Sequence, residues 1–407
     1  MTRNDLRNSV SDATTEMRIV VDATAAVSGG EVYLDKLLLQ FARLTPDHEF
    51  IVFHLGDFDD FASRHFNEQS NGRFQFRRVR LPFAKSRWWI GSSGLKMLWR
   101  LAVLPLHLRR LKPDLLFSNA GFGPGWKPAK VKSVLALHNS MPLRDELIAD
   151  ESSTLRRWRL VLLRRLMRRA LRDSDGSIVF SEDTKRRVMD CFDDLSREPA
   201  VVYHGIDWGE RELAAKSDGL RRFGIARPYL LYVSQFHRYK NVLRLLEAFA
   251  RLSAKHPQLS LALVGAAADK TYWREVEAEI DRLKIRDRVK HVAVCPRDQL
   301  PGIYGNALAF VHPSLAETCS FPLLEAMAMG APIAAARMSA LPEMAGDAAI
   351  YFDPYDTEEM AEALDRLVWD EALRDELSRR AIARAQEFSW TETARKTLRV
   401  FERVVET

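Results

Sequence analysis

Short apolar runs alternate with longer segments whose apolar residues recur at helical spacing along most of the chain. Because strands buried on both faces read as continuous apolar runs, this alternation predicts an α/β fold of parallel sheets covered by helices. The predicted strands form two groups, separated by a polar stretch at residues 208–227. The first group comprises Met17–Ala23, Phe50–Leu55, Phe74–Val79, Asp114–Ser118, Val131–Leu137, Ser177–Phe180 and Val201–His204. The second comprises Tyr229–Ser234, Leu259–Gly265, Val289–Val294, Phe310–His312, Ile333–Ala336 and Ala349–Phe352.

A chain of 407 residues favours two domains rather than one. We predict a disordered tail, two doubly wound domains and a final helix. The tail is polar and carries acids, so it is not expected to be a signal peptide. The predicted bounds are residues 1–16 for the tail, 17–205 and 206–388 for the two domains, and 389–407 for the final helix.

One strand–loop–helix segment, Phe310–Pro332, stands out by its chemistry. Pro322 opens its predicted helix and Gly330 ends it, which is the usual asymmetry of a stable helix. Two carboxylates, Glu317 in the loop and Glu325 in the expected first helical turn, interrupt an otherwise apolar stretch. They are either a loop acid and a capping acid or a pair that binds a ligand near the helix N-terminus.

Two further strand–loop–helix segments carry candidate phosphate-binding groups. The stretch Val27–Glu31 reads as a glycine turn, where Gly29 and Gly30 allow a ligand to approach the backbone, although turns favour glycine in any case. Lys240 precedes a predicted helix at Val242–Lys255, where it is either a surface lysine or a phosphate ligand.

His138 directly follows a predicted strand, at the edge where open α/β sheets bind their ligands. A histidine in this position is either a structural hydrogen-bonding group or a substrate contact. Asn139 follows it.

The Phe310–Pro332 segment resembles the Glu-x7-Glu signature of retaining glycosyltransferases of family 4. The resemblance extends to HPS before the two acids, to PLLEAMAMGAPI across the second, to LPEMAGDAAIYFDPYD after them, and to VVYHGID at the domain junction. It implies two Rossmann-like domains facing each other across a cleft (GT-B type), with a C-terminal helix that crosses back to the first domain.

The resemblance also implies roles for individual residues. Glu317 orients the donor sugar, His138 faces that sugar, and Lys240 binds the donor diphosphate, so these three are the expected catalytic residues. Glu325 holds the ribose hydroxyls. The expected donor-binding residues are Gly29, Gly30, Gln235, Arg238, Lys240, Val294, Thr318, Cys319, Ser320, Phe321, Leu324 and Glu325.

The chain departs from the family pattern at several of these positions. Ser234 and Gln235 stand where the family often has an arginine, which leaves the second phosphate cation open, with Arg238 and His237 as nearby substitutes. Thr318 and Ser320 replace the glycines that usually flank the aromatic residue of this loop, so their side chains narrow the predicted sugar pocket. Asn139 replaces the common aspartate.

No Asp-x-Asp motif stands at a predicted strand end, so we expect no bound metal and no cofactor. Lys240 and the N-terminus of the helix at Pro322 would instead stabilise the leaving diphosphate. The three cysteines are widely separated and lack metal-ligand spacing, which is typical of a reducing compartment.

A basic block distinguishes the first half, because residues 72–172 hold 23 Lys and Arg against 5 Asp and Glu. The segments 85–112, with three tryptophans, and 155–172, with eight arginines, favour either contact with an anionic membrane surface or a solvated basic helix. Nucleic acid is not expected, because no reader motif is present. No run of 18 apolar residues occurs. We therefore expect a cytoplasmic protein attached peripherally to the inner face of the membrane.

The predicted activity is transfer of a hexose or deoxyhexose to a lipid-linked or saccharide acceptor in bacterial surface polysaccharide or lipopolysaccharide synthesis. GDP-mannose is favoured slightly over a UDP-sugar or dTDP-rhamnose as donor. A sugar-nucleotide 2-epimerase of the same fold and a non-catalytic lipid- or polyanion-binding relative are the alternatives.

Overall fold

The computed structural model describes residues 16–24, 29–45, 47–56, 58–66, 72–80, 95–119, 121, 123–151, 153–207 and 219–407. The predicted tail lies outside these residues except for Glu16, as do the first part of the 85–112 segment and most of the 208–227 connection.

The first sheet has seven strands in the order β3-β2-β1-β4-β5-β6-β7. The neighbouring pairs β2–β3, β1–β2, β1–β4, β4–β5 and β6–β7 run parallel. The strand bounds are β1 Arg18–Asp22, β2 Glu49–His54, β3 Phe74–Arg78, β4 Leu115–Ser118, β5 Lys132–Ala136, β6 Gly176–Val179 and β7 Ala200–Val201.

The second sheet has six strands in the order β10-β9-β8-β11-β12-β13, and every neighbouring pair is parallel. The strands β8, β11 and β12 are buried along their whole length, which explains their continuous apolar sequences. The strand bounds are β8 Tyr229–Val233, β9 Ser260–Val264, β10 Val289–Val292, β11 Ala309–His312, β12 Ile333–Ala336 and β13 Ala349–Phe352.

Both sheets reverse their strand order once, between β1 and β4 in the first and between β8 and β11 in the second. Such a topological switch point opens a crevice at the carboxyl ends of the two strands, where doubly wound proteins bind ligands. The described residues therefore contain two Rossmann-like parallel sheets, as the sequence predicts.

Helices connect the strands. The α-helices are α1 Gly29–Leu44, α2 Asp59–His65, α3 Leu104–Leu111, α4 Asp145–Ala149, α5 Thr154–Asp173, α6 Glu182–Cys191, α7 Gly219–Phe223, α8 Val242–Lys255, α9 Lys270–Arg282, α10 Leu300–Gly305, α11 Phe321–Met329, α12 Leu341–Ala345, α13 Thr357–Trp369, α14 Glu371–Ala385 and α15 Trp390–Glu406. A π-helix, Trp99–Val103, precedes α3, and short 3-10 turns include Met141–Leu143, Arg238–Lys240, Arg286–Arg288 and Arg297–Gln299.

Two local predictions need correction. Gly29 and Gly30 do not form a turn but begin α1, because the helical hydrogen bonding already includes them. Helix α11 begins at Phe321 rather than at Pro322, with the hydroxyl of Ser320 accepting the N–H of Leu323 as its cap. Glu325 consequently lies in the second turn of this helix instead of the first.

The chain divides into two compact units. Unit 1 contains the described residues up to Ala136, Ser174–Gly176 and Val400–Thr407, and unit 2 contains Leu137–Asp173 and Ser177–Arg399. Within unit 1, the buried ring of Phe401 from α15 packs against Phe41 and Phe117, with ring centroids 5.9 and 5.1 Å apart. The last residues of α15 thus return to the first unit, whereas the predicted boundary at residues 205 and 206 stays a prediction.

Candidate functional site

Lys240 and Glu317 meet at the switch point of the second sheet. Lys240 ends the 3-10 turn that follows β8, and Glu317 lies in the loop between β11 and α11. The Nζ of Lys240 lies 2.6 Å from Oε1 of Glu317, and both side chains are about nine-tenths buried. Two candidate residues that are 77 positions apart in the sequence therefore form one buried ion pair.

Both groups of this pair are ionised. Burial alone would raise the pKa of Glu317, but the charge of Lys240 and a hydrogen bond from His312 hold that pKa well below its ordinary value. Burial also opposes the charge of Lys240, yet the attraction of Glu317 leaves the lysine pKa above its ordinary value. The pair therefore supplies a fixed cation beside a fixed carboxylate in a site with little water.

His312 completes this cluster, and sequence reasoning missed its role. It is the last residue of β11, and its Nε2 lies 3.1 Å from Oε1 of Glu317 and 2.9 Å from Oγ of Ser320. Burial lowers the pKa of His312, although the hydrogen bond to Glu317 and its charge oppose this change. Its place at the carboxyl end of a strand beside the switch point was the available signal.

The loop between Glu317 and α11 is buried and already uses several of its own donors. Thr318, Cys319 and Ser320 are each less than a tenth exposed. The N–H of Ser320 donates to Sδ of Met344 at 3.2 Å, so it is not open to a donor sugar. Burial raises the pKa of the Cys319 thiol to about 12, which makes this thiol inert.

The first turn of α11 also has few polar groups open to a ligand. The side chain of Leu324 is fully buried, and its N–H donates to the Ser320 carbonyl at 3.1 Å. The predicted donor contact of Leu324 therefore lacks an open polar group. The ring of Phe321 stacks on His204, with centroids 4.6 Å apart, and lies 6.0 Å from the ring of Trp390.

Glu325 faces a small pocket beside α10. The hydroxyl of Tyr304 donates to its Oε2 at 2.9 Å. Asp207 and Arg297 line the same pocket, together with apolar residues of α10 and α11. Glu325 is less buried than Glu317 and lies among hydrogen-bonding side chains, so it can accept hydroxyl groups of a ligand.

His138 lies beside the Glu317 loop, because its carbonyl accepts the hydroxyl of Thr318 at 3.4 Å. Its ring packs on Phe180, with centroids 4.4 Å apart. Burial lowers the pKa of His138 to about 3, so the ring is neutral at ordinary pH. His138 can therefore orient a sugar through hydrogen bonds but carries no charge for it. Asn139 is exposed and caps its own turn through the N–H of Met141.

The turn after β8 differs from the predicted open helix mouth. The hydroxyl of Tyr272 accepts the N–H groups of Val242 and Leu243 at 3.0 and 3.4 Å, which satisfies the N-terminus of α8. Arg238 donates to Glu275 at 2.7 Å and its guanidinium lies over the Tyr272 ring. Its Nε is buried with no hydrogen-bond partner among the described residues.

The remaining donor candidates occupy different surroundings. Val294 is 78% exposed at the exit of β10, which suits contact with a flat ligand ring. Gln235 lies between β8 and the Arg238–Lys240 turn. In unit 1, the Gly30 carbonyl accepts the side-chain amide of Asn119 at 3.3 Å, and Gly29 begins α1.

Helix α5 carries the predicted basic segment. Leu155, Trp158 and Leu162 are 75%, 66% and 56% exposed and recur at the spacing of one helix face. Several of its arginines are paired, including Arg156 with Asp269 at 2.6 Å and Arg168 with two aspartates after α6. On the same helix, Leu163 and Leu166 are half-buried.

The described residues contain neither a metal-binding cluster nor a membrane-spanning helix. No three His, Cys, Asp or Glu side chains are grouped closely enough to hold a metal ion. No helix in the described part of the chain has the length and apolar character needed to cross a membrane.

Family comparisons match both halves of the chain. Residues 27–209 match the family described as Glycosyltransferase Family 4, and residues 222–386 match Glycosyl transferases group 1. Among curated proteins, the O-antigen chain mannosyltransferase B of Escherichia coli is 29% identical over 45% of this chain and 48% of its own length. The D-inositol 3-phosphate glycosyltransferase of Thermobifida fusca is 28% identical over 54% and 53%. The chain thus spans about half the length of the curated relatives it matches.

Solved structures share the fold over nearly the whole chain. Anabaena HepE in complex with UDP-glucose superposes with a TM-score of 0.69 at 18% identity, covering 94% of this chain and 99% of that chain. WaaG, a glycosyltransferase involved in lipopolysaccharide biosynthesis, gives 0.70 at 18%, covering 93% and 98%. These likenesses show the fold, and the two family matches, which together cover most of the chain, identify it as a member of the group 1, family 4 glycosyltransferases.

Proposed function

We propose that this protein is a retaining, metal-independent glycosyltransferase that moves a hexose or deoxyhexose from a nucleotide sugar to a lipid-linked or saccharide acceptor. The observation that carries the proposal is the buried Lys240–Glu317 pair at the switch point of the second sheet, followed by Glu325 on the next helix. This arrangement offers a cation for a diphosphate and two carboxylates for hydroxyl groups.

The leaving diphosphate gains charge as the anomeric bond breaks, so a fixed cation beside it lowers the barrier. Lys240 is that cation. On donor binding, its ammonium exchanges part of its contact with Glu317 for phosphate oxygens. The carboxylate of Glu317 is then free to accept sugar hydroxyls, while the contact between His312 and this carboxylate is kept.

The other candidate residues bind and orient. Glu325 accepts the ribose hydroxyls in the pocket beside Tyr304, and Val294 covers the base. The neutral ring of His138 and the hydroxyl of Thr318 border the sugar, and the Thr318 side chain fills space that glycine leaves open in the resembled pattern. Arg238, through its buried Nε, is the second cation within reach of the phosphates.

The proposed donor is GDP-mannose, with UDP-sugars and dTDP-rhamnose as competitors. The matched relatives include an O-antigen chain mannosyltransferase and serotype-specific mannosyltransferases of Escherichia coli, which supports this choice. The proposed pathway class is polysaccharide or lipopolysaccharide synthesis, since the O-antigen enzyme is among those relatives.

A thermal-shift panel tests the donor and the absence of metal. Purified protein is heated with GDP, UDP, dTDP, CDP or ADP, each with and without EDTA. A nucleotide at about 100 times its Kd adds roughly 2.7 kcal/mol to the free energy of unfolding, which raises the Tm by several degrees. We expect a response to GDP that EDTA does not change and that Glu325→Ala abolishes. No response to any nucleotide contradicts the proposal, and a response lost in EDTA contradicts its metal-free form.

We further propose that α5 places the protein on an anionic membrane, where a lipid-linked acceptor lies. Leu155, Trp158 and Leu162 form the apolar part of its exposed face, and the exposed Arg165 and Arg169 continue that face. Aromatic and cationic side chains on one face suit the membrane interface, and each arginine near an anionic leaflet contributes about 1 kcal/mol.

Vesicle cosedimentation tests this surface. We expect Trp158→Ser to reduce binding to vesicles of phosphatidylglycerol and phosphatidylcholine at least about threefold, because it removes a large apolar contact. Trp369→Ser is the matched control, since Trp369 is 74% exposed on α13. Equal losses in both variants, or binding to pure phosphatidylcholine at the same level, would refute the assignment to α5.

A further inference from the structure

A fully buried arginine, Arg144, is connected to the Glu317 loop through the side chain of Ser339. Arg144 follows the Met141–Leu143 turn, and its side chain is 0% exposed. Its Nη2 donates to Oδ2 of Asp183 at 2.8 Å and to Oγ of Ser339 at 2.7 Å. Burial lowers the pKa of Arg144, while the charges of Asp183 and Glu146 oppose this change. Since burial of a charge is costly, the contacts of this side chain need an explanation beyond simple packing.

Ser339 connects this arginine to the backbone of Glu317. Its hydroxyl donates to the Glu317 carbonyl at 2.7 Å and accepts the Glu317 N–H at 2.8 Å. Its second acceptor position is filled by Arg144. A serine hydroxyl has one proton and two lone pairs, so all three are used and the hydroxyl has one orientation. Ser339 also has φ of +63°, a conformation that costs energy for a residue other than glycine.

We infer that Arg144 and Ser339 are positioning residues that fix the peptide of Glu317 and thereby the direction of its carboxylate. The inference rests on the proposed function, in which Glu317 orients the donor sugar. The backbone N–H and the carbonyl of Glu317 are both bound to the Ser339 hydroxyl. The loop therefore cannot rotate about Glu317 without breaking these hydrogen bonds. The guanidinium keeps that hydroxyl in place through a charge-assisted bond.

The next loop residue is held by the same segment. Thr318 donates to the carbonyl of His138, six residues before Arg144. The segment from His138 to Arg144 therefore supports the loop at two consecutive residues. The Arg144 side chain supports Glu317 through Ser339, and the His138 carbonyl binds Thr318. This arrangement favours a role in aligning the sugar over a role in donor affinity, because it acts on the backbone of Glu317 and on the side chain of Thr318, which border the sugar in the proposed function.

Ser339→Gly is the decisive variant. Glycine accepts a φ of +63° without strain, so the variant loses the hydroxyl while its backbone stays relaxed. Misplacing a reacting group by about 1 Å costs about 100-fold in rate. We expect kcat to fall about 10- to 100-fold, with the Kd for the nucleoside diphosphate that stabilises the wild type changed less than about threefold. The Tm should stay within about 3 °C of the wild type.

Two further variants separate positioning from stability. Arg144→Met should lower kcat at least as far as Ser339→Gly, and Arg144→Lys, which keeps a cationic donor, should recover part of that loss. Ser253→Ala is the matched control, because Ser253 is also buried in unit 2 but its hydroxyl bonds to the Ala250 carbonyl within α8. This control should leave kcat unchanged.

The outcomes are distinct. An unchanged kcat in Ser339→Gly overturns the inference, and so does a loss of kcat matched by equal loss of nucleotide affinity. If Ser339→Gly does not fold, Arg144→Lys and Arg144→Met are compared in the same way, and equal kcat in these two overturns it. Failure of the proposed function itself looks different, because the wild type then binds no nucleoside diphosphate.

Discussion

The two sheets each hold a buried acid–base pair at the switch point, and the two pairs differ in how they are bonded. In the first sheet, Asp22 at the end of β1 pairs with Arg100 of the π-helix at 2.8 Å, with side chains 1% and 3% exposed. In the second sheet, Glu317 pairs with Lys240 at 2.6 Å, with side chains 10% and 11% exposed. The same topology has thus produced two similar pairs in two crevices.

The first pair is closed on itself. The Oδ1 of Asp22 accepts both the N–H and the hydroxyl of Thr24, and Arg100 donates to both Asp22 and the Thr24 hydroxyl. A ligand would have to break several of these buried hydrogen bonds in order to bind to the pair. The second pair joins the flexible side chain of a lysine to a carboxylate in the loop between β11 and α11, so its partners can be exchanged. We therefore expect the second pair, and not the first, to bind a ligand.

The largest expected effect is on catalysis by the second pair. Lys240→Met removes the cation for the diphosphate and leaves Glu317 buried without its charge partner, so kcat/KM should fall about 100- to 1000-fold. Steady-state kinetics on the donor identified by the nucleotide panel measure this. An activity close to wild type would mean that another cation, such as Arg238, stabilises the leaving group.

The next largest effect is the loss of folding stability when the first pair, Asp22–Arg100, is broken. Arg100→Met leaves Asp22 buried and unpaired, which should lower the free energy of unfolding by about 3–5 kcal/mol. Urea denaturation measures the loss, and the double variant Asp22→Asn with Arg100→Met should recover part of it. If Arg100→Met instead keeps full stability but loses activity, the first pair is a ligand site and the comparison fails.

A smaller effect is expected at Glu325. Glu325→Gln keeps the shape but removes the charge that strengthens hydrogen bonds to ribose hydroxyls, each such bond being worth about 1.5–3 kcal/mol. The Kd for the nucleoside diphosphate should rise about 10- to 100-fold, with kcat little changed. Isothermal titration calorimetry provides this value. A fall in kcat at constant Kd would reassign Glu325 from nucleotide binding to the chemical step.

The smallest effect concerns acid stability. The pKa of Glu317 in the folded protein lies below its ordinary value, so the unfolded chain binds its proton first as pH falls. The stabilisation by the charged group is complete above the ordinary value of about 4.5 and declines below it. Between about pH 5 and pH 3, the wild type should therefore lose stability more steeply than Glu317→Gln. Parallel slopes in urea titrations at these pH values would exclude a depressed pKa.

The sequence allowed the main site residues to be predicted where the signal was local. Glu317, Lys240 and Glu325 each belong to a strand–loop–helix segment that can be recognised from its own residues. The two sheets followed from the alternation of apolar runs with helical spacing.

The partners of these residues could not be predicted, because long-range packing selects them. Nothing in the neighbourhood of Val242 indicated that the hydroxyl of Tyr272 would occupy the N-terminus of α8. Ser339 and Arg144 lie 22 and 173 positions from Glu317 and carry no motif of their own. Gly29 and Gly30 were predicted to form a turn because glycine favours turns. The helix that follows them instead includes both residues.

The packing of Phe401 has a consequence for how the protein is made. Its ring fills the space between Phe41 and Phe117, so the hydrophobic core of unit 1 includes a side chain from far downstream. During synthesis, the ribosome releases the strands of unit 1 long before this residue, and N-terminal segments normally begin to fold first. We therefore expect unit 1 to stay incompletely packed until α15 has been translated, with an apolar surface exposed where the Phe401 ring later packs.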